Sequence, residues 1–344
     1  MNKKLSVIAV AVALATPFAA AQAEVTTSAR VAWDIASVGG DADPSGILIG
    51  DSGQGRLQFD SKSDMGFGRL AFDTRLGRAS VSCKGTDDNE NAGAGDGNID
   101  RDGLSCSSSL ADFRDVYLGI NLGPGALSFG RMGGASKNLE KDPFIATFLQ
   151  ARGTSAVHGG SYGSSSFING LMQYSMDLSG WAVKVQYNLQ NEDLAAGGTT
   201  GKGGDAGLSV KGKAGPATIW LGWNNGGGGD NDLGYTKLGF GMPAGPINLT
   251  VNYNSKEAPD GGDADNRIFI DGNMKFGDWM GDVALGTKSH GDASGTYIRL
   301  AGKTKLDKQM TMSVGYVQDS TDPGTTGSEE TTISHVGVNL TYSM

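Results

Sequence analysis

Between Cys83 and Cys106 lies "DGNIDRDG", which sets Asp96, Asn98, Asp100 and Asp102 at every second position before Gly103. Alternate oxygen-bearing side chains converging on one point, with a glycine to allow the turn, are the ligand chemistry of a hard cation, so these four residues are candidate calcium ligands. The pattern is imperfect: Arg101 stands sixth in the run, where a calcium loop has glycine, and Ser107 stands twelfth, where it has glutamate. An acidic solvated loop is the competing reading of the same residues. The flanking cysteines offer a second chemistry, because outside the reducing cytosol Cys83 and Cys106 are placed to form a disulfide that closes this loop. Two cysteines in the whole chain are too few for a disulfide scaffold. Catalytic constellations are missing: His158, His290 and His335 fall in separate segments, and Ser334 next to His335 is no dyad, since neighbours in a strand point to opposite faces.

The elements that must position these residues begin with an address. "MNKKLSVIAVAVALATPFAAAQAEV" places Lys3 and Lys4 before an apolar run from Leu5 to Ala15 and small residues at Ala21-Gln22-Ala23. This predicts a signal peptide over residues 1–23 and an exported body over 24–344. No later stretch supplies the roughly 18 to 20 apolar residues of a membrane helix. The formal charge of -9 becomes more negative once the two lysines are removed, which argues against a nucleic-acid partner.

Apolar residues recur at every second position through most of the exported body, and clusters of Gly, Asp, Asn and Pro interrupt them, which predicts an all-β chain. In "VTTSARVAWDI", Ala29, Val31, Trp33 and Ile35 share one face and Arg30 and Asp34 the other; "RLQFDSK" and "RLAFDTRL" repeat the pattern. Hairpins then follow as "ALSFGR", "FINGLMQYSM" with "WAVKVQYNLQ", "GLSVKGK" with "ATIWLGW", and so on to the closing "HVGVNLTYSM". About sixteen strands, short turns at one end and long loops at the other predict a transmembrane antiparallel β-barrel. Backbone amides in lipid must be paired within the protein, which a closed sheet achieves, and the last strand is expected to pair with the first. A soluble sandwich has no need of long loops gathered at one end, and the four-strand period of a propeller is lacking.

The same parity predicts which charges face inward. Arg30, Arg56, Arg69 and Arg75 all lie opposite the apolar positions of the first three strands, and a charge on the lipid face near the midplane would cost about 2–4 kcal/mol. Lys184, Lys211, Lys213, Arg267, Lys275 and Arg299 also point inward by parity. Most aromatics, Trp33, Phe129, Tyr187, Trp223, Tyr253 and Tyr342 among them, fall on the apolar face, as in interfacial girdles.

Over its exported length the chain resembles the general-diffusion porins of Gram-negative outer membranes, through the leader, the hairpin array, the "LSFGR" strand before a long third loop, and the alternating final strand. Met344 departs from the terminal aromatic usual in that family, which bears on recognition by the barrel-assembly machinery. The resemblance implies sixteen strands with short periplasmic turns and long extracellular loops, a homotrimer, and surroundings of outer-membrane lipid and lipopolysaccharide. It also implies passive diffusion of ions and small hydrophilic solutes without a cofactor or an enzymatic activity. The third loop is implied to fold into the lumen, where Glu140 and Asp142 of "NLEKDPF" would face Arg30, Arg56, Arg69 and Arg75 across a constriction. The competing possibility is that the arginines pair with Asp34, Asp60 and Asp73 and simply line the lumen. A substrate-selective channel and an outer-membrane barrel hydrolase are the alternative functions. Acidic outer loops, such as Asp41 to Asp51 and Asp319 to Glu330, lead us to expect weak cation selectivity.

Overall fold

Alternation of apolar and polar residues is carried into the structure as a single wall, apolar outside and polar within. The computed structural model describes residues 24–41, 46–51, 55–74, 81–85, 104–108, 111–137, 139, 142–145, 147–151, 168–189, 206–225, 234–257, 262–325 and 329–344.

The wall consists of β1 (Glu24–Gly40), an interrupted β2 (Gly46–Asp51 and Arg56–Lys62), β3 (Gly66–Thr74), β4 (Ala111–Leu122), β5 (Gly125–Met132) and β6 (Ile168–Leu178). It continues as β7 (Trp181–Asn188), β8 (Ala206–Ala214), β9 (Ala217–Asn224), β10 (Tyr235–Ala244) and β11 (Ile247–Lys256). The remaining strands are β12 (Asp265–Phe276), β13 (Trp279–His290), β14 (Ala293–Lys305), β15 (Met310–Asp322) and β16 (Thr331–Ser343). Both segments of β2 pair antiparallel with β1, one beside Trp33–Val38 and the other beside Glu24–Arg30, so they form one strand of a sixteen-stranded barrel. A separate two-stranded hairpin, Val81–Gly85 with Leu104–Ser108, lies in the connection from β3 to β4.

Closure is by β1 against β16, from Arg30 opposite Ser343 to Gly40 opposite Ile333. Met344 extends the seam, because its N–H and carbonyl both hydrogen-bond to Ala29 at 2.9 Å. The unusual last residue is thus accommodated by the backbone. Among the described residues the barrel sheet keeps no free edge, as a barrel in lipid requires.

Turn chemistry sets the short end. Gly123, Gly215, Gly245 and Gly277 each open a two-residue turn at φ between 57° and 63°, the conformation that a glycine-first hairpin turn needs. The loop end is not uniformly long: Gly291-Asp292 links β13 to β14 as a two-residue turn. Sequence reading takes the Gly, Asp and Ser residues there for a longer loop, since the same residue types serve both.

Outward residues are apolar and exposed, including Ile35, Leu118, Val283, Leu285 and Leu300 at 50–55%. Inside, the β4 strand carries a bulge. The register with β3 shifts after Ala71, so that Asp115 faces Ala71 and Phe113 faces Phe72, leaving Arg114 as the extra residue. Strict alternation would put Arg114 on the lipid side with Val116. The bulge turns it inward instead, where its Nη1 bonds Asp73 at 2.8 Å.

Candidate pore constriction

The segment after β5 turns into the barrel and is held to the wall along its described length. At its start the Ala135 N–H donates to the Gln186 side-chain oxygen on β7, and Lys211 Nζ on β8 donates to the Leu139 carbonyl at 3.2 Å. Gly222 on β9 is required here. A Cβ at that position would lie 2.5 Å from Leu139 Cδ1 and 2.7 Å from Ser136 Cβ, so only glycine lets the loop come this close. Farther on, Phe144, Leu149 and Ala151 bury themselves against Phe269, Ala284, Tyr297 and Val317 of β12–β15. The Phe148 N–H then donates to Asp34 of β1 at 3.2 Å, so the loop reaches strands on the far side of the seam.

The centre of the attachment is Arg299 on β14. Its Nη1 donates to Asp142 of the loop at 2.7 Å, its Nη2 to Asp271 of β12 at 2.8 Å and its Nε to Asp282 of β13 at 2.7 Å. None of the four side chains is more than 2% exposed. Ala284 lies between Asp271 and Arg299 in the cross-strand register, and its small side chain lets the guanidinium span two strands. The Leu149 carbonyl accepts from Arg299 Nη1 at 3.1 Å and from the Tyr297 hydroxyl at 2.9 Å. Phe144 and Phe269 lie at 4.7 and 5.7 Å from the guanidinium carbon, at cation–π range. Asp142 is engaged on both oxygens, accepting also from the Phe144 N–H at 3.0 Å and the Ala151 N–H at 2.8 Å. It therefore fastens the loop to the wall. Lys303 adds a further tie, donating to the Pro143 carbonyl at 3.0 Å.

The lumen stays open beside the loop: a cavity of about 590 Å³ is lined by Asp142, Lys211, Thr218, Thr250 and Asp271. Across the barrel, Arg56 lies within electrostatic reach of Arg30 and Arg114 as well as of Asp73 and Asp115. Arg30 and Arg56 are direct cross-strand partners, an arrangement of like charges that the neighbouring carboxylates offset. Arg69 bonds Asp60 at 2.6 Å and lies 5.9 Å from the Tyr117 ring centroid, so for Arg69 the pairing reading describes the structure.

Sequence reasoning put Arg30, Arg56, Arg69 and Asp142 inside the barrel, and each is there. Arg75 and Glu140 lie outside the described residues, as do Asp96, Asn98, Asp100 and Asp102. Cys83 and Cys106 are directly opposite in the register of their hairpin. Missed as functional were Arg299, Asp271 and Asp282, the anchor of the loop, together with Asp34 and Arg114. Parity had pointed Arg299 inward, and the available signal was the pair of inward aspartates on the two strands before it.

The family model described as Gram-negative porin matches residues 8–344. Among solved structures, an anion-selective porin from Comamonas acidovorans is similar with a TM-score of 0.67 at 18% identity, covering 93% of this chain and 100% of that one. The trimer form of OmpT, an outer-membrane protein of Vibrio cholerae, gives 0.61 at 14% identity over 94% and 99%. Salmonella typhi OmpF, in complex with daunomycin, gives 0.58 at 12% identity over 93% and 97%. No curated protein matches the sequence.

Proposed function

The chain belongs to the Gram-negative porins, and on that premise we propose that the loop after β5 narrows its lumen to an eyelet whose far wall is Arg30, Arg56 and Arg114. The protein is a bacterial outer-membrane channel for passive diffusion of ions and small hydrophilic solutes. The observation that carries the eyelet is the Arg299 anchor, which fixes the loop across the lumen with three carboxylates and a backbone carbonyl. Arg69 flanks the arginine side; Glu140 and Arg75, which the sequence adds to the loop side and the arginine side, lie outside the described residues. Asp142 acts there by positioning the loop.

Passage through a water-filled lumen needs no cofactor or energy source. Liposomes carrying the protein should swell in arabinose-sized and smaller solutes faster than protein-free liposomes, and equal rates would sink the reading. The protein is proposed to have no hydrolase activity; turnover of phospholipid or peptide by purified, folded protein in detergent would overturn that. We propose a homotrimer among outer-membrane lipid and lipopolysaccharide. Calcium at Asp96, Asn98, Asp100 and Asp102 is proposed as a structural ion of the second outer loop, and equal protease sensitivity of that loop in calcium and in chelator would remove it.

A further inference from the structure

One continuous stretch of the lumen wall carries cations without carboxylates. The five consecutive strands β7 to β11 contain Lys184, Lys211, Lys213, Lys237 and Lys256, all at lumen-facing positions, and no aspartate or glutamate. The cross-strand register then orders the charges. One row runs from Lys184 through Ser209, Gly222, Lys237, Asn254 and Arg267 to Lys288, carrying four cations over seven strands. Several are already engaged: Arg267 pairs with Asp265 at 2.9 Å, Lys211 holds the Leu139 carbonyl, and Lys237 is buried 5.3 Å from the Tyr235 ring centroid.

Lys184 differs from these. Among the described residues its half-buried ammonium has no hydrogen-bond or ion-pair partner. Two positions along the same face is Gln186, 3% exposed, whose side-chain oxygen accepts from the Ala135 N–H of the loop. That bond fixes the amide orientation, so the group left over is the NH2 donor, and Gln186 Nε2 is buried without a partner. Ser209, the cross-strand neighbour of Lys184, adds a buried hydroxyl. An unpaired ammonium and an orphaned amide donor on one face of β7 suit a ligand that brings acceptors and negative charge.

We propose that Lys184, backed by Gln186 and Ser209, is a subsite for small anions on the loop-bearing wall, and that it gives the channel an anion preference. The inference rests on the channel reading and adds the sign of its selectivity, opposite to the cation preference that the acidic outer loops alone would suggest. The lumen decides the sign for a physical reason. Charges in exposed loops are screened beyond about 8–10 Å at 0.1–0.15 M salt, whereas a half-buried charge lining a narrow path is felt by every ion that passes. Asp142, the described carboxylate of the loop, does not oppose it, being bound to Arg299.

The test is single-channel recording in planar bilayers under a tenfold KCl gradient, with phosphate added as a competing anion. Wild type is expected to reverse on the chloride side, with an anion-to-cation permeability ratio of about 3 or more. Lys184→Gln should lower that ratio by about twofold or more and weaken the reduction of chloride current by phosphate, while Lys184→Arg should retain both. Insertion of each variant is checked by its heat-dependent gel mobility. A potassium-side reversal potential in wild type, or a ratio unchanged in Lys184→Gln, overturns this inference and leaves the channel reading standing. Folded wild type without conductance overturns both.

Discussion

At the scale of single residues, the two ends of the loop anchor should respond differently to removal. Arg299 is one guanidinium among three aspartates in a site closed to water. Arg299→Gln would leave the three carboxylates facing one another without compensation, and breaking a buried pair in this way costs about 3–5 kcal/mol. Asp142→Asn should behave otherwise, since it removes one of the crowded negative charges and leaves Arg299 with Asp271 and Asp282. Its effect on barrel stability should be smaller than that of Arg299→Gln, while the loop loses its ionic tether. Urea unfolding followed by tryptophan fluorescence reports the first difference. Bilayer recordings report the second, as increased open-channel noise in Asp142→Asn with its reversal potential little changed. A reversal potential that moves strongly toward anions in that variant would return Asp142 to the eyelet surface.

Pairs of strands are the scale at which the cysteine hairpin can be judged. Residues directly opposite in an antiparallel pair have Cα atoms about 4.5–5.5 Å apart, inside the range of about 4.4–6.8 Å that a disulfide spans, and Cys83 is directly opposite Cys106. Outside the cytosol the bond is expected to form, closing a loop of about 24 residues for roughly 3 kcal/mol in the chain-entropy model. A linked Cys83–Cys106 peptide should appear in the non-reduced tryptic digest, and alkylation of both cysteines without reductant would exclude it. Strands themselves were the most legible part of the sequence, because a wall with lipid on one side and water on the other imposes a period of two on every segment. Arg114 was illegible for the same reason: a bulge inserts one residue and reverses the parity that the reading depends on. Arg299 was legible as inward but not as an anchor. Its meaning depends on Asp271, Asp282 and Asp142, which lie 28, 17 and 157 residues away in the chain and meet only when the wall closes and the loop folds in.

For the whole molecule, two kinds of closure should differ in strength. Each barrel closes within one chain, through the ladder of β1 against β16 and the paired bonds between Met344 and Ala29, and in lipid there is no competing hydrogen-bond partner for that seam. Association of barrels rests on their exposed outer faces, where Trp33, Ile35 and Leu118 are as well solvated by lipid tails as by a neighbouring barrel, so packing complementarity has to supply the attraction. The proposed trimer should accordingly dissociate before the barrel unfolds. Samples taken from lipid-retaining detergent into dodecyl sulfate and heated stepwise should show three species in order: a slow trimer band, a compact folded monomer, and the unfolded chain at full apparent mass. Native mass spectrometry in the mild detergent should give three times the chain mass. A monomeric mass under those conditions would refute the trimer while leaving the barrel intact, and a direct step from trimer to unfolded chain would mean that the seam needs its neighbours to stay closed.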